Sequence, residues 1–510
     1  MSRATPAADT APAPAPEHRQ PVMATLRNPR WLKTEVLAGL VVALALIPEA
    51  IAFSLIAGVD PQVGLFSASI MAVTIALLGG RPAMISGATA ATALVIAPLV
   101  QSHGLDYFIA AVILAGIFQI VLALIGAAKL MRFIPRSVMV GFVNALAILI
   151  FTSQLPELID VPWLVYPLTA LGLLIIFVLP RLTKAVPAPL VSIIVVTAVV
   201  VIAAITVPNV GDKGQLPDAL PTLFIPDVPL TFETLQILAP YAFTMALVGL
   251  LESLMSAKLV DDITDTGSDK TRESWGQGAA NIITGFFGGM GGCAMIGQTM
   301  INVRASGART RISTFTAGVL VLVLAVALGP VVAIVPMAAL VAVMIFVSYA
   351  TFDWHSIRPS TLVRMPLAET VVMVATVVAT VATHNLAIGV IIGVLIAMVA
   401  FARRVAHLVT IDRALELRQG HPTAIYTVHG ELFFASSNDL YTMFDYPGDP
   451  QHIVIDFTHS HLWDASTVAA VDSVTDKYAH YGKHVQITGL NQVSRRMRVR
   501  LGGQLNTAGH

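Results

Sequence analysis

The sequence contains very little cysteine and little charge. Cys293 is the single cysteine among 510 residues, which excludes disulfide scaffolds and cysteine-rich metal sites. It lies in a glycine-rich apolar stretch, so we expect a buried and unreactive thiol. Charged residues make up 12% of the chain and hydrophobic residues 56%, which is far from the composition of soluble globular proteins. We therefore predict an α-helical polytopic membrane protein.

The first 32 residues lack a long apolar run. They are rich in alanine and proline, and we predict a disordered cytoplasmic tail over 1–32. No apolar segment with a small-residue cleavage site precedes the first hydrophobic run at Leu37. We therefore expect no signal peptide, and the first helix should itself direct insertion into the membrane.

Apolar runs of about 17–25 residues, long enough to cross a bilayer, follow along the chain. Two shorter segments, at 88–100 and 298–305, are predicted half-helices. Together they give fourteen transmembrane segments, seven in each half, in a transporter domain at 33–406 with repeat one at 33–207 and repeat two at 236–406. The long runs lie at 35–56, 63–79, 106–127, 133–154, 164–180, 188–207, 236–257, 275–290, 312–330, 331–350, 367–383 and 385–402.

Two glycine-rich stretches nearly repeat each other. Residues 79–89 read GGRPAMISGAT and residues 291–299 read GGCAMIGQT, and both interrupt apolar runs. Lipid tolerates non-helical backbone only where protein or a water-filled cavity satisfies its N–H and C=O groups. Paired broken helices around a central site are typical of secondary transporters. The duplication therefore predicts a transporter.

Positive charge alternates from loop to loop. If the N-terminus is cytoplasmic, the cytoplasmic loops carry nearly every cation of the loops, with Lys213 in the segment 208–235 as the exception. This bias predicts a multi-pass membrane protein with both termini in the cytoplasm. Because seven segments per half is an odd number, the repeats must be inverted. The predicted cytoplasmic cations are Arg81, Lys129, Arg132, Arg136, Arg181, Lys184, Lys258, Lys270, Arg272, Arg304, Arg309, Arg311, Arg358, Arg364, Arg403 and Arg404.

A second domain follows Arg404. The segments 423–434, 452–458 and 485–490 are strand-like and 466–481 is an amphipathic helix, which predicts a small cytoplasmic α/β domain at 415–502.

The polar residues of this domain suggest structural roles. Asp456 ends a β-rich run, and Asp464 and Ser466 stand where the helix begins. We favour an N-cap role for Asp464 or Ser466 over catalysis. His459 and His461 are predicted loop residues and not metal ligands, since no second pair with metal spacing accompanies them.

Two glutamates lie inside predicted membrane helices. Glu49 and Glu252 occupy the first helix of repeat one and of repeat two. A charge at the bilayer centre costs at least about 2.5–3.5 kcal/mol, so each needs a reason. Burial without a cation favours the protonated carboxyl, so we predict proton coupling by Glu252 and Glu49. A purely structural carboxylate, and a simple kink at Pro48, are the alternatives.

The half-helices predict an anion site. A helix N-terminus at the membrane centre presents unpaired N–H groups and the positive end of the helix dipole. Thr89, Gln298 and Thr299 add neutral donors there, although each is equally suited to bridging helices. Phe53 lies four residues after Glu49 on the same helical face and would close the pocket, with packing as the alternative.

Four short motifs follow one another along the chain. They are PEAIAF at 48–53 and GVDPQVGLF at 58–66 around the first helix, and then AKLVDD at 257–262 and GARTR at 307–311. In this ordered combination they resemble the SulP anion permeases, which include sulfate, bicarbonate and dicarboxylate transporters and the animal motor protein prestin. The C-terminal region resembles the STAS domain of this family, and the resemblance covers about 33–502.

The resemblance implies a homodimer of 7+7 inverted repeats. Core helices 1–4 and 8–11 would move against gate helices 5–7 and 12–14, with the anion held between half-helices 3 and 10, each preceded by a short strand. The first and eighth helices would line the site. The residues that the resemblance places there are Glu49, Phe53, Ala88, Thr89, Ala90, Glu252, Gln298, Thr299 and Met300.

One departure from the family affects the expected substrate. Several relatives place an arginine at the start of the tenth helix, where this sequence has Thr299. Without that fixed cation the site would depend on dipoles and a proton, which fits a proton-coupled carboxylate transporter. Among bacterial relatives the chain resembles most those that carry C4-dicarboxylates such as fumarate. This resemblance implies proton-coupled dicarboxylate symport in the bacterial inner membrane.

Other functions are left open. The transport alternative is a sodium-coupled bicarbonate or sulfate carrier, and the alternative of another class is a membrane-anchored STAS signalling scaffold. We expect no enzyme activity, because no nucleophile with a base, metal cluster or phosphate loop is evident. We likewise expect no cofactor, no metal and no nucleic-acid partner, but a small anion, protons, membrane lipid and a second copy of the chain.

Overall fold

Helices α1 (Val22–Arg27) and α2 (Pro29–Ala57) open the part of the chain described by the computed structural model. That part comprises residues 22–126, 129, 134–183, 187–406, 409–418, 420–434, 436 and 440–502. The chain divides between Gly393 and Val394 into two compact units. Residues 1–21 of the predicted tail, and the predicted cytoplasmic cations Arg132 and Lys184, lie outside the described residues.

Helix α2 begins earlier than the predicted transporter boundary. Asn28 is its N-cap and accepts a hydrogen bond at Oδ1 from the Arg30 N–H at 3.1 Å, and Pro29 follows with a backbone angle that suits a first helical turn. The prediction of a disordered tail up to residue 32 is therefore too long, because 22–32 contains a capped helix start. The helix ends at Ala57 and is capped by Gly58, whose φ of +77° is the left-handed conformation that favours glycine.

Repeat one continues with five helices and a short strand. Gly104, with φ of +82° and ψ of −173°, breaks the longest of these helices, α4. The segments on either side of Gly104 match the predicted half-helix at 88–100 and the predicted helix at 106–127. The elements are α3 (Pro61–Leu78), β1 (Ser86–Gly87), α4 (Ala90–Leu124), α5 (Arg136–Gln154), α6 (Val165–Leu182) and α7 (Ala188–Ile202).

Repeat two follows the same order. A short α-helix replaces the predicted half-helix at 298–305 and continues as a π-helical turn over Ile301–Ala305. The elements are α8 (Phe232–Thr264), α9 (Lys270–Phe286), β2 (Cys293–Ala294), α10 (Ile296–Met300), α11 (Arg311–Ala327), α12 (Gly329–Ala333), α13 (Met337–Thr351), α14 (Pro359–Arg364), α15 (Leu367–Thr383) and α16 (Leu386–Ala406).

The described helices agree with fourteen transmembrane segments. Seven are long and apolar enough to cross a membrane by themselves, and four shorter ones, α7, α11, α13 and α15, are also apolar. With α4 counted as two segments at Gly104, and with α9 and α10 included, each half of the described chain has seven.

The membrane helices pack as two groups. In the first, α4 packs against α8 and α9, and α11 packs against α2 and α3. In the second, α5 packs against α13 and α15, and α13 also contacts α6 and α7. This grouping agrees with the predicted core and gate. Small residues permit the close approach within the gate: a Cβ on Gly141 of α5 would lie 2.7 Å from Cβ of Thr376 on α15.

The C-terminal unit contains a four-stranded sheet of order β3-β4-β5-β6. Strands β3 and β4 are antiparallel, whereas β4, β5 and β6 are parallel. Asp464 caps α17 by accepting a hydrogen bond from the Thr467 N–H at 3.0 Å, as predicted. The elements are β3 (Thr410–Arg418), β4 (His421–Leu432), β5 (His452–Leu462), α17 (Ala465–His480), β6 (His484–Thr488) and α18 (Gln492–Leu501).

Three features of this unit differ from prediction. Strand β3 begins at Thr410, before the predicted domain start at 415, and α18 was not predicted. The prediction that His459 and His461 are loop residues is wrong, because β5 continues past a bulge and pairs His459 with His429. The imidazole rings of His429 and His459 stack with centroids 5.2 Å apart.

A buried carboxylate stabilises the core of this unit. Asp449 accepts hydrogen bonds from the hydroxyls of Tyr426 at 2.7 Å and Tyr478 at 2.5 Å. Arg413 donates to Oδ1 of Asp449 through Nε at 2.9 Å and Nη2 at 2.7 Å. Burial first, and then the bond to Asp449, raise the pKa of Tyr478 well above its ordinary value, so the phenol stays a donor to the carboxylate.

Candidate functional site

Strands β1 and β2 hold the two interrupted helices together. They pair antiparallel, with Ser86 opposite Ala294 and Gly87 opposite Cys293. Helix α4 starts three residues after β1, and α10 starts two residues after β2. The short pair therefore brings the N-termini of α4 and α10 to one place, as the duplication predicted.

Polar side chains from neighbouring helices form hydrogen bonds with the backbone of the second glycine-rich interruption, residues 291–299. Asn281 of α9 accepts from the Gly292 N–H at 2.8 Å and donates to the Gly292 carbonyl at 3.1 Å. Ser67 of α3 donates to the Gly291 carbonyl at 2.5 Å, and Ser253 of α8 accepts from the Ala294 N–H at 3.0 Å. Inside a membrane such partners are what allow a helix to stop.

Glu252 lies beside this strand pair. Its side chain is buried in α8, with 8% of its surface exposed. The Cys293 thiol of β2 donates to Glu252 Oε2 at 3.0 Å. The same sulfur lies 3.2 Å from Oγ1 of Thr89, the N-cap of α4. The predicted coupling group is thereby connected to the predicted anion-binding helix.

Glu49 lies half-buried on α2 and contacts α10. Its carboxylate accepts a hydrogen bond from the Gln298 side chain. Gln298 is 2% exposed, and its Oε1 has no hydrogen-bond partner among the described residues. The neighbouring Gly297 is exposed, and in the described part of the chain no atom outside its own helix backbone and its chain neighbours lies within 4 Å of the position a Cβ would take. A carboxyl, an unsatisfied amide oxygen and open space therefore meet at the start of α10.

Thr299 has a different role from a free donor. Its Oγ1 accepts a hydrogen bond from the Ile85 N–H at 3.0 Å and lies 3.5 Å from the Ile85 carbonyl. The side chain is fully buried. Its hydroxyl ties α10 to the segment before β1, so Thr299 follows the helix-bridging alternative.

The remaining predicted site residues lie around the same helix starts. Phe53 on α2, Ala88 before α4 and Ala90 at the first position of α4 are buried, and Met300 at the end of α10 is half-buried. Thr89 is 3% exposed and accepts from the Thr92 N–H at 3.3 Å.

Two buried glutamates escaped the sequence analysis. Glu273 of α9 accepts from the N–H groups of Gly80 at 2.7 Å and Arg81 at 3.1 Å. It thereby gives hydrogen-bond partners to the backbone of the first glycine-rich interruption, residues 79–89. Glu35 of α2 accepts from the Arg309, Thr310 and Ser313 N–H groups at 2.7, 3.0 and 3.1 Å. Both lie near the ends of apolar runs, where the sequence alone suggests charged residues at the membrane surface.

The motifs at 257–262 and 307–311 also gain structural roles. Asp261 forms an ion pair with Arg81 at 3.1 Å and with Lys270 at 2.6 Å. Arg311 donates to the Ala76 carbonyl at 3.1 Å and the Gly79 carbonyl at 2.5 Å. These bonds fix the loops around the first interruption. None of them involves the start of α10.

Comparison with known proteins decides the family. The sulfate permease family model matches residues 32–163 and 158–376, and the STAS domain model matches residues 414–505. The chain belongs to the sulfate permease family. It is 51% identical to the putative sulfate transporter YbaR of Bacillus subtilis over 91% of this chain and 96% of that protein.

More distant relatives extend the comparison. The bicarbonate transporter BicA of Picosynechococcus is 25% identical over 64% of this chain and 63% of that protein. Murine Slc26a9, an anion transporter solved in the inward-facing state, has the same fold with a TM-score of 0.79 at 16% identity, covering 92% of this chain and 87% of the other.

Family membership establishes the general function. The protein is a multi-pass membrane protein and an anion transporter of the sulfate permease family with a C-terminal STAS domain. The family consists of transporters and not of enzymes. The prediction of a transporter made from the duplicated interruption is confirmed.

Proposed function

We propose that this transporter couples the uptake of a dicarboxylate such as fumarate to an inward flow of protons. The observation that carries the proposal is the position of Glu252, a buried carboxyl at the strand pair whose hydrogen-bond partner is a neutral thiol. A carboxyl in such surroundings can exchange a proton during the transport cycle. Glu49, whose partner is the neutral amide of Gln298, is the second candidate.

The proposed anion site lies between the starts of α4 and α10. The N–H groups of the first helical turns, which lack intrahelical partners, would bind the anion. The space beside Gly297 and the unsatisfied Oε1 of Gln298 support this placement. Because Gln298 Oε1 is an acceptor, a carboxylate there would meet it favourably only with a proton between them, which fits symport. The proposed lining is Glu49, Phe53, Ala88, Thr89, Ala90, Gln298 and Met300, with Thr299 positioning α10 through its bond to Ile85.

Transport would proceed by alternating access, with the core group moving against the gate group. We also propose a homodimer with both termini in the cytoplasm, as the resemblance to the family implies.

Sulfate is the second candidate substrate. A putative sulfate transporter shares 51% identity with this chain, and a bicarbonate transporter is a more distant relative. Binding of a fully charged sulfate would require the backbone N–H groups alone to offset its charge, since Thr299 supplies no cation.

Uptake into proteoliposomes tests the proposal. Labelled fumarate, sulfate and bicarbonate would be compared with and without an inward proton gradient, and with and without sodium. We expect fumarate accumulation that depends on the proton gradient. Sodium-dependent bicarbonate or sulfate uptake that ignores the proton gradient would refute it.

The variant Glu252→Gln tests the coupling group. The amide cannot exchange a proton, so proton-driven accumulation should be lost while counterflow exchange of labelled for unlabelled substrate persists. Glu369→Gln, at an exposed position on α15, is the matched control and should behave as the parent protein. Unchanged accumulation in Glu252→Gln would exclude Glu252 as the coupling group.

A further inference from the structure

The single cysteine occupies an unusual position for a buried thiol. Cys293 is fully buried in β2, and its sulfur lies between two side chains from different elements. Glu252 Oε2 is 3.0 Å away and Thr89 Oγ1 is 3.2 Å away. Both distances are within hydrogen-bonding range for sulfur, which acts as a weak donor and a weak acceptor. The thiol therefore links the carboxyl of α8 to the cap of α4.

Thr89 transmits this link to the start of α4. Its Oγ1 accepts from the Thr92 N–H at 3.3 Å and lies 3.1 Å from the Thr92 hydroxyl. A hydroxyl has one hydrogen to donate. When that hydrogen points to the Cys293 sulfur, it is not available to a ligand in front of α4.

We infer that Cys293 is a positioning residue that transmits the protonation of Glu252 to Thr89. With Glu252 ionised, the S–H hydrogen donates to the carboxylate and the Thr89 O–H hydrogen donates to sulfur. When Glu252 takes up one proton from water, its O–H donates to sulfur, the S–H hydrogen turns to Thr89 Oγ1, and the Thr89 hydrogen is released toward an anion. The net change is the single proton on Glu252; no other covalent bond forms or breaks.

The direction in which protonation of Glu252 reverses these hydrogen bonds favours symport. Proton uptake by Glu252 would raise anion affinity at α4, and by thermodynamic reciprocity a bound anion would raise the proton affinity of Glu252. This inference rests on the proposed proton coupling, but it does not depend on which anion is carried.

Among the described residues, the other buried carboxyl groups near Glu252 bond to groups other than Cys293. Glu49 on α2 is bonded to Gln298, and Glu273 on α9 is bonded to the Gly80 and Arg81 N–H groups. From α4, the N-cap Thr89 approaches the thiol and Thr92 bonds to Thr89, and neither residue is titratable.

Infrared spectroscopy of the full-length protein in liposomes tests the link directly. Because the chain has one cysteine, its S–H stretching band reports one bond. We expect the band to move to higher frequency as the buffer changes from alkaline to acidic, since donation to a carboxylate weakens the S–H bond. The movement should vanish in Glu252→Gln. A band that does not respond to pH in the parent protein would overturn the inference.

Transport by matched variants provides the second test. Cys293→Ala removes the link, whereas Cys293→Ser keeps a donor and acceptor at the same position. We expect the alanine variant to lose the acid stimulation of uptake, with KM for the labelled anion roughly two- to tenfold higher in acidic buffer, as loss of one neutral hydrogen bond implies. The serine variant should restore the pH profile.

The outcomes separate this inference from the proposed function. If fumarate is not carried but the S–H band still follows pH through Glu252, the link stands and the substrate assignment fails. If proton-driven fumarate uptake is confirmed and Cys293→Ala keeps the parent pH profile, the proposed function stands and the link is refuted.

Discussion

The close approach of the two interruptions predicts a severe effect of one methyl group. A Cβ on Gly292 would lie 1.8 Å from the carbonyl oxygen of Gly87 and 2.5 Å from its carbonyl carbon. In Gly292→Ala the strands would have to separate by about 1.5 Å to reach van der Waals distance. Neither contact is the flexible end of a side chain, so the neighbouring backbone itself must move.

The cost can be worked from the contacts that this movement disturbs. Overpacking of a tight core costs about 1–3 kcal/mol. Separation also weakens the β1–β2 pairing and the bond from the Met295 N–H to the Ile85 carbonyl at 2.8 Å, each hydrogen bond contributing about 0.5–1.5 kcal/mol. With one hydrogen bond of the strand pair and the Met295 bond counted, we therefore expect Gly292→Ala to destabilise the folded protein by about 2–6 kcal/mol.

Gly297→Ala is the control, because the added methyl group would meet no atom of another described element within 4 Å. Thermal stability would be measured for both variants by the loss of monodisperse protein after heating in detergent, and anion uptake would be measured in liposomes. We expect a large drop in stability for Gly292→Ala and parent-like stability for Gly297→Ala. If Gly292→Ala matches the parent in both assays, the paired strands are not packed as described.

Three further variants test other contacts. Asn281→Leu should destabilise the membrane unit by about 2–4 kcal/mol, because it leaves both polar groups of the Gly292 backbone without a partner; thermostability comparison with the parent checks this. Asp449→Ala should lower the unfolding free energy of the C-terminal unit by about 3 kcal/mol, since two tyrosines and an arginine lose their acceptor; urea unfolding followed by hydrogen exchange of β4 would show it. The Thr458 hydroxyl holds the pKa of Asp456 below its ordinary value of 3.8, so the stability this group contributes is present above that value and lost as pH falls below it. In Asp456→Asn the acid dependence of β5 exchange should be smaller, and an unchanged dependence would contradict this assignment.

The membrane fold was predictable because its signals are strong and independent. Apolar runs located the membrane segments, and the loop cations indicated their orientation. The Ala-Met-Ile triplet shared by residues 79–89 and 291–299 located both glycine-rich interruptions. The family resemblance implied a short strand before each half-helix, but the pairing of β1 with β2 was not predicted. What hydropathy does not encode is which polar groups meet across the bundle. Glu35 and Glu273 were missed for this reason, since each satisfies backbone groups more than 190 residues away in sequence.

The candidate site was located in outline but not in its bonds. The sequence placed Glu252, Thr89 and Thr299 near one point, yet the partner of each hydroxyl depends on rotamers and on the register of β1 with β2. Thr299 bonds to Ile85 and not to open space. In the C-terminal unit, β3 was missed because its residues are mostly exposed, and the bulge that keeps His459 in β5 has no simple sequence pattern.

The dependence of each interruption on the other has a consequence for synthesis. The backbone at Ile85 is bonded to Thr299, a residue 214 positions later, and Glu35 awaits N–H groups 274 or more positions later. At about 5–20 residues per second the ribosome needs roughly 10–40 s to deliver Thr299 after Ile85. Throughout that interval the backbone before α4 has no strand partner. The first repeat must therefore stay in contact with water or with the insertion machinery until the second arrives, and the centre of the transporter cannot form before the second repeat is synthesised.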